Sequence, residues 1–174
     1  MKILIATDSF KGSLSSLEAG NAIADGIRRV GMPAEIQVSP IADGGEGTTE
    51  ALVNGLSGYL ETVTVSDPLG RKQTANYGIL PSGTAVMEMA AAAGLPLLSE
   101  SERNPLYTTT FGVGEMIADA IAKGCRKFII GIGGSATNDG GVGCLQALGF
   151  SFRNADNTEI PCGAVGLSQL QKIT

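Results

Sequence analysis

The sequence predicts an α/β fold: a Rossmann-like parallel-sheet lobe, followed by the start of a second, mixed α/β domain. Three observations carry that prediction. KILIAT (2–7) and KFIIGI (127–132) are short apolar runs rich in β-formers, which read as buried parallel strands. A segment of helical period separates the first run from a third, AEIQV (34–38), making a β-α-β unit with a right-handed crossover. From residue 72 two strand-like runs follow each other directly, which marks a hairpin and not another β-α-β step.

The elements follow in order. After the first strand comes the polar loop DSFKGS, and then Ser15, Ser16, Leu17 and Glu18 fit a capping box. Leu14, Leu17, Ala22, Ile23, Ile27 and Val30 keep helical spacing, and Gly31 is placed to end the helix. The second strand runs into PIADGGEGTT (40–49), from which a helix over 48–56 is expected. Residues 59–66 read as a strand, with Val63 and Val65 alternating against polar neighbours. Asp67, Pro68, Leu69 and Gly70 are a turn signal. Strands at 72–80 and 84–90 are joined by Pro81, Ser82 and Gly83.

A boundary near residue 70 divides the chain into a lobe of 1–70, completed by further sequence, and an incomplete second domain of 71–174. A polar loop over 95–110 precedes a helix over 112–123, with Val113, Met116, Ile117, Ala120 and Ile121 on one face and Gly124 as its cap. The strand at 127–132 empties into a glycine-rich loop, and a short helix runs to 148. Val165, Leu167, Leu170 and Ile173 give a loosely helical end without a clear cap, which reads as a piece of a longer protein.

Composition removes whole classes of function. With 43% hydrophobic and 17% charged residues the chain is globular, not disordered. A net charge of −5 argues against a general nucleic-acid or anionic-membrane surface. The absence of His excludes His bases, Ser-His-Asp triads and His-rich zinc sites. Acid–base chemistry then falls to Asp, Glu, Lys, Tyr or Cys. Cys125, Cys144 and Cys162 are odd in number and form no CxxC, which reads as reduced thiols of a cytoplasmic protein. The opening MKILIATDSFKG meets Asp8 and Lys11 too soon for a signal peptide.

Three strand-end loops carry the candidate chemistry, since ligands of open α/β sheets bind beyond the carboxyl ends of the strands. In the first, Asp8 suits a base or a metal-water ligand. Ser9 stands beside it, and Lys11 offers a point charge for phosphate or carboxylate. In the second, Gly44 and Gly45 allow close backbone approach to a ligand, and the following helix start offers N–H groups. Asp43 and Glu46 there suit Mg²⁺, or equally serve as helix caps. In the third, Gly133, Gly134 and Ser135 form an anion-binding loop, with Asn138 and Asp139 for substrate or metal. GIGGSA also satisfies a GxGxxA dinucleotide fingerprint, but Asn138, Asp139, Gly140 and Gly141 break the helix such a fold would continue. No GxxxxGK[ST] is present. Glu88, within VMEMA, faces either a cleft or solvent.

ATDSFKGSLSS (6–16), PIADGGEGT (40–48), DPLGR (67–71), Glu88-Met89-Ala90, TTTFGVGE (108–115) and GIGGSATNDGG (131–141) together resemble the type I glycerate kinase family. The resemblance implies ATP-dependent phosphorylation of a hydroxyl of D-glycerate with Mg²⁺, in the cytoplasm. It also implies a longer protein with two α/β domains about a cleft. For the mechanism, the three Gly- and acid-bearing loops and the lack of His suggest Asp8 or Asp139 orienting or deprotonating the hydroxyl, Asp43 and Glu46 holding Mg²⁺ through water, and Lys11 with loop N–H groups meeting the phosphates or the carboxylate. A nicotinamide-dependent enzyme and a non-catalytic binding fragment stand as alternatives.

Overall fold

The computed structural model describes residues 1–10 and 12–174. Lys11 lies outside the described residues. The β-α-β unit forms as expected. Strand β1 (Lys2–Ile5) and strand β2 (Glu35–Val38) pair in parallel, with Ile3 opposite Ile36. Helix α1 (Ser16–Arg29) packs on both strands. Its capping box is complete: Ser15 Oγ accepts from Glu18 N, and Ser15 N donates to Glu18 Oε2 at 2.8 Å. Gly31 follows the helix in a left-handed conformation at φ +72°.

β1 is not the buried strand its apolar run predicts. Ile5 is buried, but Leu4 is 64% exposed. A strand turns alternate residues to opposite faces, and within this two-stranded sheet only one face is covered.

Strands β3 (Tyr59–Ser66), β4 (Lys72–Ile79), β5 (Thr84–Glu88) and β6 (Lys127–Gly131) form a separate mixed sheet in that order. The first two pairs are antiparallel, and β5–β6 is parallel. The boundary expected near residue 70 therefore falls inside a hairpin. β3 and β4 keep register from Tyr59–Ile79 to Ser66–Lys72, with Gly70 in the turn between them. The sheets divide the chain before β3.

Helix α3 (Ala90–Ala93) and helix α4 (Phe111–Ala122) cover one face of this sheet. Val65, Ala75, Tyr77, Ala85, Met87, Val113 and Met116 make the core there. Helix α2 (Thr48–Gly55) lies on the opposite face. Gly78 makes that contact possible: a Cβ at this position would stand 2.2 Å from Val53 Cγ2. Strand alternation then decides where Glu88 goes. Ala85 and Met87 enter the α4-side core, so Val86 and Glu88 face α2.

β6 was expected to be buried and instead forms the sheet's edge, with Ile129 and Ile130 exposed. An apolar run marks a strand but not the number of its neighbours. The segment 95–110, expected as a polar loop, contains 3-10 turns at Leu95–Leu97 and Glu100–Glu102. Helix α5 (Val142–Ala147) packs against α4. The loosely helical end resolves into a short helix α6 (Ala164–Leu167) and a strand. That strand, β8 (Lys172–Ile173), pairs with β7 (Phe152–Arg153) in antiparallel fashion.

Candidate functional site

The three loops do gather. Ser9 Oγ reaches the Glu46 carbonyl at 3.4 Å, which joins the first loop to the second. Gly133 N donates to Gly44 O at 3.0 Å, which joins the second to the third. Glycine is required at that crossing. A Cβ on Gly131 would lie 2.5 Å from Gly44 O, and one on Gly133 would lie 2.7 Å from Gly45 Cα. Two strand ends from separate sheets are thus held backbone to backbone.

The acids of these loops differ in their surroundings. Asp139 is 2% exposed and is spent on packing. It accepts from Thr110 N at 2.8 Å, Thr110 Oγ1 at 2.9 Å, Thr109 Oγ1 at 3.3 Å, Gly141 N at 3.0 Å and Gly143 N at 3.2 Å. One carboxylate thereby caps the starts of α4 and α5 together. These contacts give Asp139 a structural role at the starts of both helices. Burial, with the Asp139 charge adding to it, pushes the neighbouring Cys144 thiol up from its ordinary value.

The other expected residues keep local partners or face solvent. Asp8 is half-buried, with Oδ1 accepting from Ser9 N at 2.7 Å. Asp43 is exposed and turns Oδ1 back to Gly45 N at 2.9 Å, a local turn ahead of α2, whose N-cap is Gly47. Asn138 is exposed. Ser135 makes an internal turn, accepting from Thr137 N at 3.1 Å. Gly134 is stitched to the segment before it, its carbonyl accepting from Leu95 N at 3.0 Å.

The start of α2 is not an open anion site either. Gly44 N donates to Thr48 Oγ1 at 3.1 Å, and Thr48 N donates to Gly45 O at 3.2 Å. Thr49 N donates to Glu88 Oε1 at 2.8 Å. Glu88 therefore already holds the place of an anion at the positive end of this helix.

The first two loops border a cleft of about 570 Å³ between the β-α-β unit and the four-stranded sheet. Ser9, Ser13, Ser15, Glu46, Thr49 and Glu88 line it, facing Gln73 and Asn76 of β4 and the apolar pair Pro96 and Leu97. Among the described residues, the candidates that reach this wall are Ser9 and Glu46, together with Glu88, which the sequence left between cleft and solvent. Thr49 and the serines Ser13 and Ser15 escaped the sequence reading. Strand alternation through β5 was the available signal for Glu88, while Thr49 carried none of its own. Thr49 is distinctive in the structure. It is 6% exposed, and its Oγ1 is the buried side-chain polar atom without a hydrogen-bond partner among the described residues. Leaving a hydroxyl in that state costs about 1–3 kcal/mol.

Comparison with known proteins converges on one family. The model of the glycerate kinase family matches residues 3–174. A glycerate kinase of Bacillus subtilis is 51% identical over 174 residues, covering 99% of this chain and 46% of the relative. Glycerate 2-kinase of Escherichia coli is 48% identical with the same coverage. A crystal structure from Salmonella typhimurium LT2, assigned as a glycerate kinase 2, superposes with a TM-score of 0.89 at 47% identity, covering 100% of this chain and 47% of that one. The chain thus spans about half the length of the relatives it matches. With matches at this identity along nearly its whole length, the chain belongs to the glycerate kinase family.

Proposed function

We propose that this chain supplies the N-terminal half of an ATP-dependent glycerate kinase, which transfers a phosphoryl group to a hydroxyl of D-glycerate in the cytoplasm. The observation that carries this reading is the family match across residues 3–174, with named glycerate kinases among the relatives. The cleft between the β-α-β unit and the sheet is our candidate for the glycerate site, and further sequence would complete the first lobe and the nucleotide site.

In the reaction the glycerate hydroxyl oxygen bonds to the γ-phosphorus, the bond to the bridging oxygen breaks, ADP leaves, and the hydroxyl proton passes to a carboxylate. Asp8, next to Ser9 of the cleft wall, keeps one oxygen for that proton. Lys11 is assigned to the phosphates or the glycerate carboxylate. Mg²⁺, when bound, supplies charge neutralisation on the phosphates. Among the described residues no three metal-type side chains group together. Mg²⁺ commonly takes one or two protein carboxylates beside the phosphates, and Asp43 or Glu46, reached through water, are the candidates. The dinucleotide alternative has lost its footing, because the GIGGSA loop is stitched to residues 93–95 and does not open a helix.

A chimera tests the reading. These 174 residues replace the matching segment of the Bacillus subtilis relative, and ADP release with D-glycerate is measured. Turnover within about tenfold of the relative is expected, a loss of no more than ~1.4 kcal/mol in barrier. A chimera that melts normally but releases no ADP on D-glycerate contradicts the assignment.

A further inference from the structure

We infer that Thr49 Oγ1 and the free oxygen of Glu88 form a hydroxyl-binding subsite in the wall of the cleft; this rests on the glycerate reading above. The geometry places the two groups together for a reason visible in the fold. Alternation along β5 turns Glu88 toward α2, where Oε1 accepts from Thr49 N at 2.8 Å. Oε2 takes no hydrogen bond among the described residues. The Thr49 methyl lies toward Gly78, 3.5 Å from where a Cβ would stand there. Its hydroxyl is left without a partner although the residue is only 6% exposed and lines the cleft. A buried, unpartnered hydroxyl beside a half-free carboxylate is an incomplete hydrogen-bond set that a ligand completes.

The charge of the wall selects the ligand. Glu46, Glu50 and Glu88 line the same cleft, so a phosphate or carboxylate group placed against this wall meets like charge. A closed cation site is not built, since no three metal-type side chains group among the described residues. What remains is a neutral donor. An alcohol O–H donates to Glu88 Oε2, and its oxygen accepts from Thr49 Oγ1. A carboxylate accepts such a bond more strongly than a neutral oxygen does. D-glycerate carries two hydroxyls, and its own carboxylate would point away from this wall.

The test uses this chain and measures binding of D-glycerate, 3-hydroxypropionate, which lacks the 2-hydroxyl, and D-lactate, which lacks the 3-hydroxyl. Thr49→Val keeps the shape and removes the hydroxyl, and Glu88→Gln keeps the amide acceptor and removes the charge. Thermal melting of both variants serves as the fold control. The expected result is D-glycerate binding weakened about tenfold or more by each substitution. One of the two deoxy analogues should bind all three proteins alike, since it lacks the hydroxyl in question. Should D-glycerate bind all three proteins equally well, the subsite is overturned while the glycerate reading stands. Should the unsubstituted chain bind no D-glycerate, the subsite is also overturned, and ADP release by the chimera then decides the glycerate reading separately.

Discussion

Asp139 and Asp8 both stand in polar loops that follow strands, yet they answer to different physics. Asp139 gathers donors from Thr109, Thr110, Gly141 and Gly143, and its removal leaves two helix starts unpaired in a buried place. Asp139→Asn should lower unfolding free energy by about 3 kcal/mol, read from urea melts. Asp8→Asn should stay within about 0.5 kcal/mol, because Asp8 only takes its own neighbour's N–H. Equal effects of the two substitutions would remove the distinction. In sequence both residues look the same, a carboxylate among small residues after an apolar run. The partners that set them apart lie about thirty positions upstream at Thr109 and Thr110, and no local pattern announces a contact of that range. Glu88 was legible as a choice between cleft and solvent, and the parity of β5 against Met87 makes the choice.

At the level of elements, α4 is clipped to the β3–β4 hairpin by ionised groups. Glu115 accepts from Ser66 N and pairs with Lys72 at 2.8 Å. Burial alone would raise its carboxyl, but Lys72 and Ser66 outweigh burial and hold it below its ordinary 4.5. Asp119 is likewise lowered, burial opposing the stronger pull of Tyr77 and Lys123. A depressed carboxylate adds stability above its unfolded pKa and loses it as pH falls through the folded value. Melting temperature should therefore hold level from neutral pH down to about 5 and fall below about 4. Glu115→Gln should make that acid fall shallower, whereas an unchanged profile would deny the clip its role. The β4–β5 hairpin and the start of α1 are readable because each rests on adjacent residues, the Pro81-Ser82-Gly83 turn and the Ser15–Glu18 box. The exposure of β1 and β6 was not readable, since apolar runs report burial without naming the covering partner.

For the whole molecule, the two sheets meet through the Gly44–Gly133 crossing, and the cleft follows from how that crossing sets the β-α-β unit against the four-stranded sheet. The α/β class and the approach of the three loops were both present in the sequence. The boundary expected near residue 70 rests on a change of strand texture that the turn of the β3–β4 hairpin explains equally well. Ile132, 76% exposed beside the crossing, and Leu4 on β1 leave apolar surface open in a chain about half as long as its relatives. No helix among the described residues is long and apolar enough to cross a membrane. On the proposed glycerate reading, the cleft, not the Asp139 loop, receives D-glycerate. Backbone amide shifts of this chain, followed during titration with D-glycerate, test it most directly. Saturating shifts are expected at Ser9, Glu46, Thr49 and Glu88, and shifts confined to residues 138–141 would put the ligand elsewhere and overturn the reading.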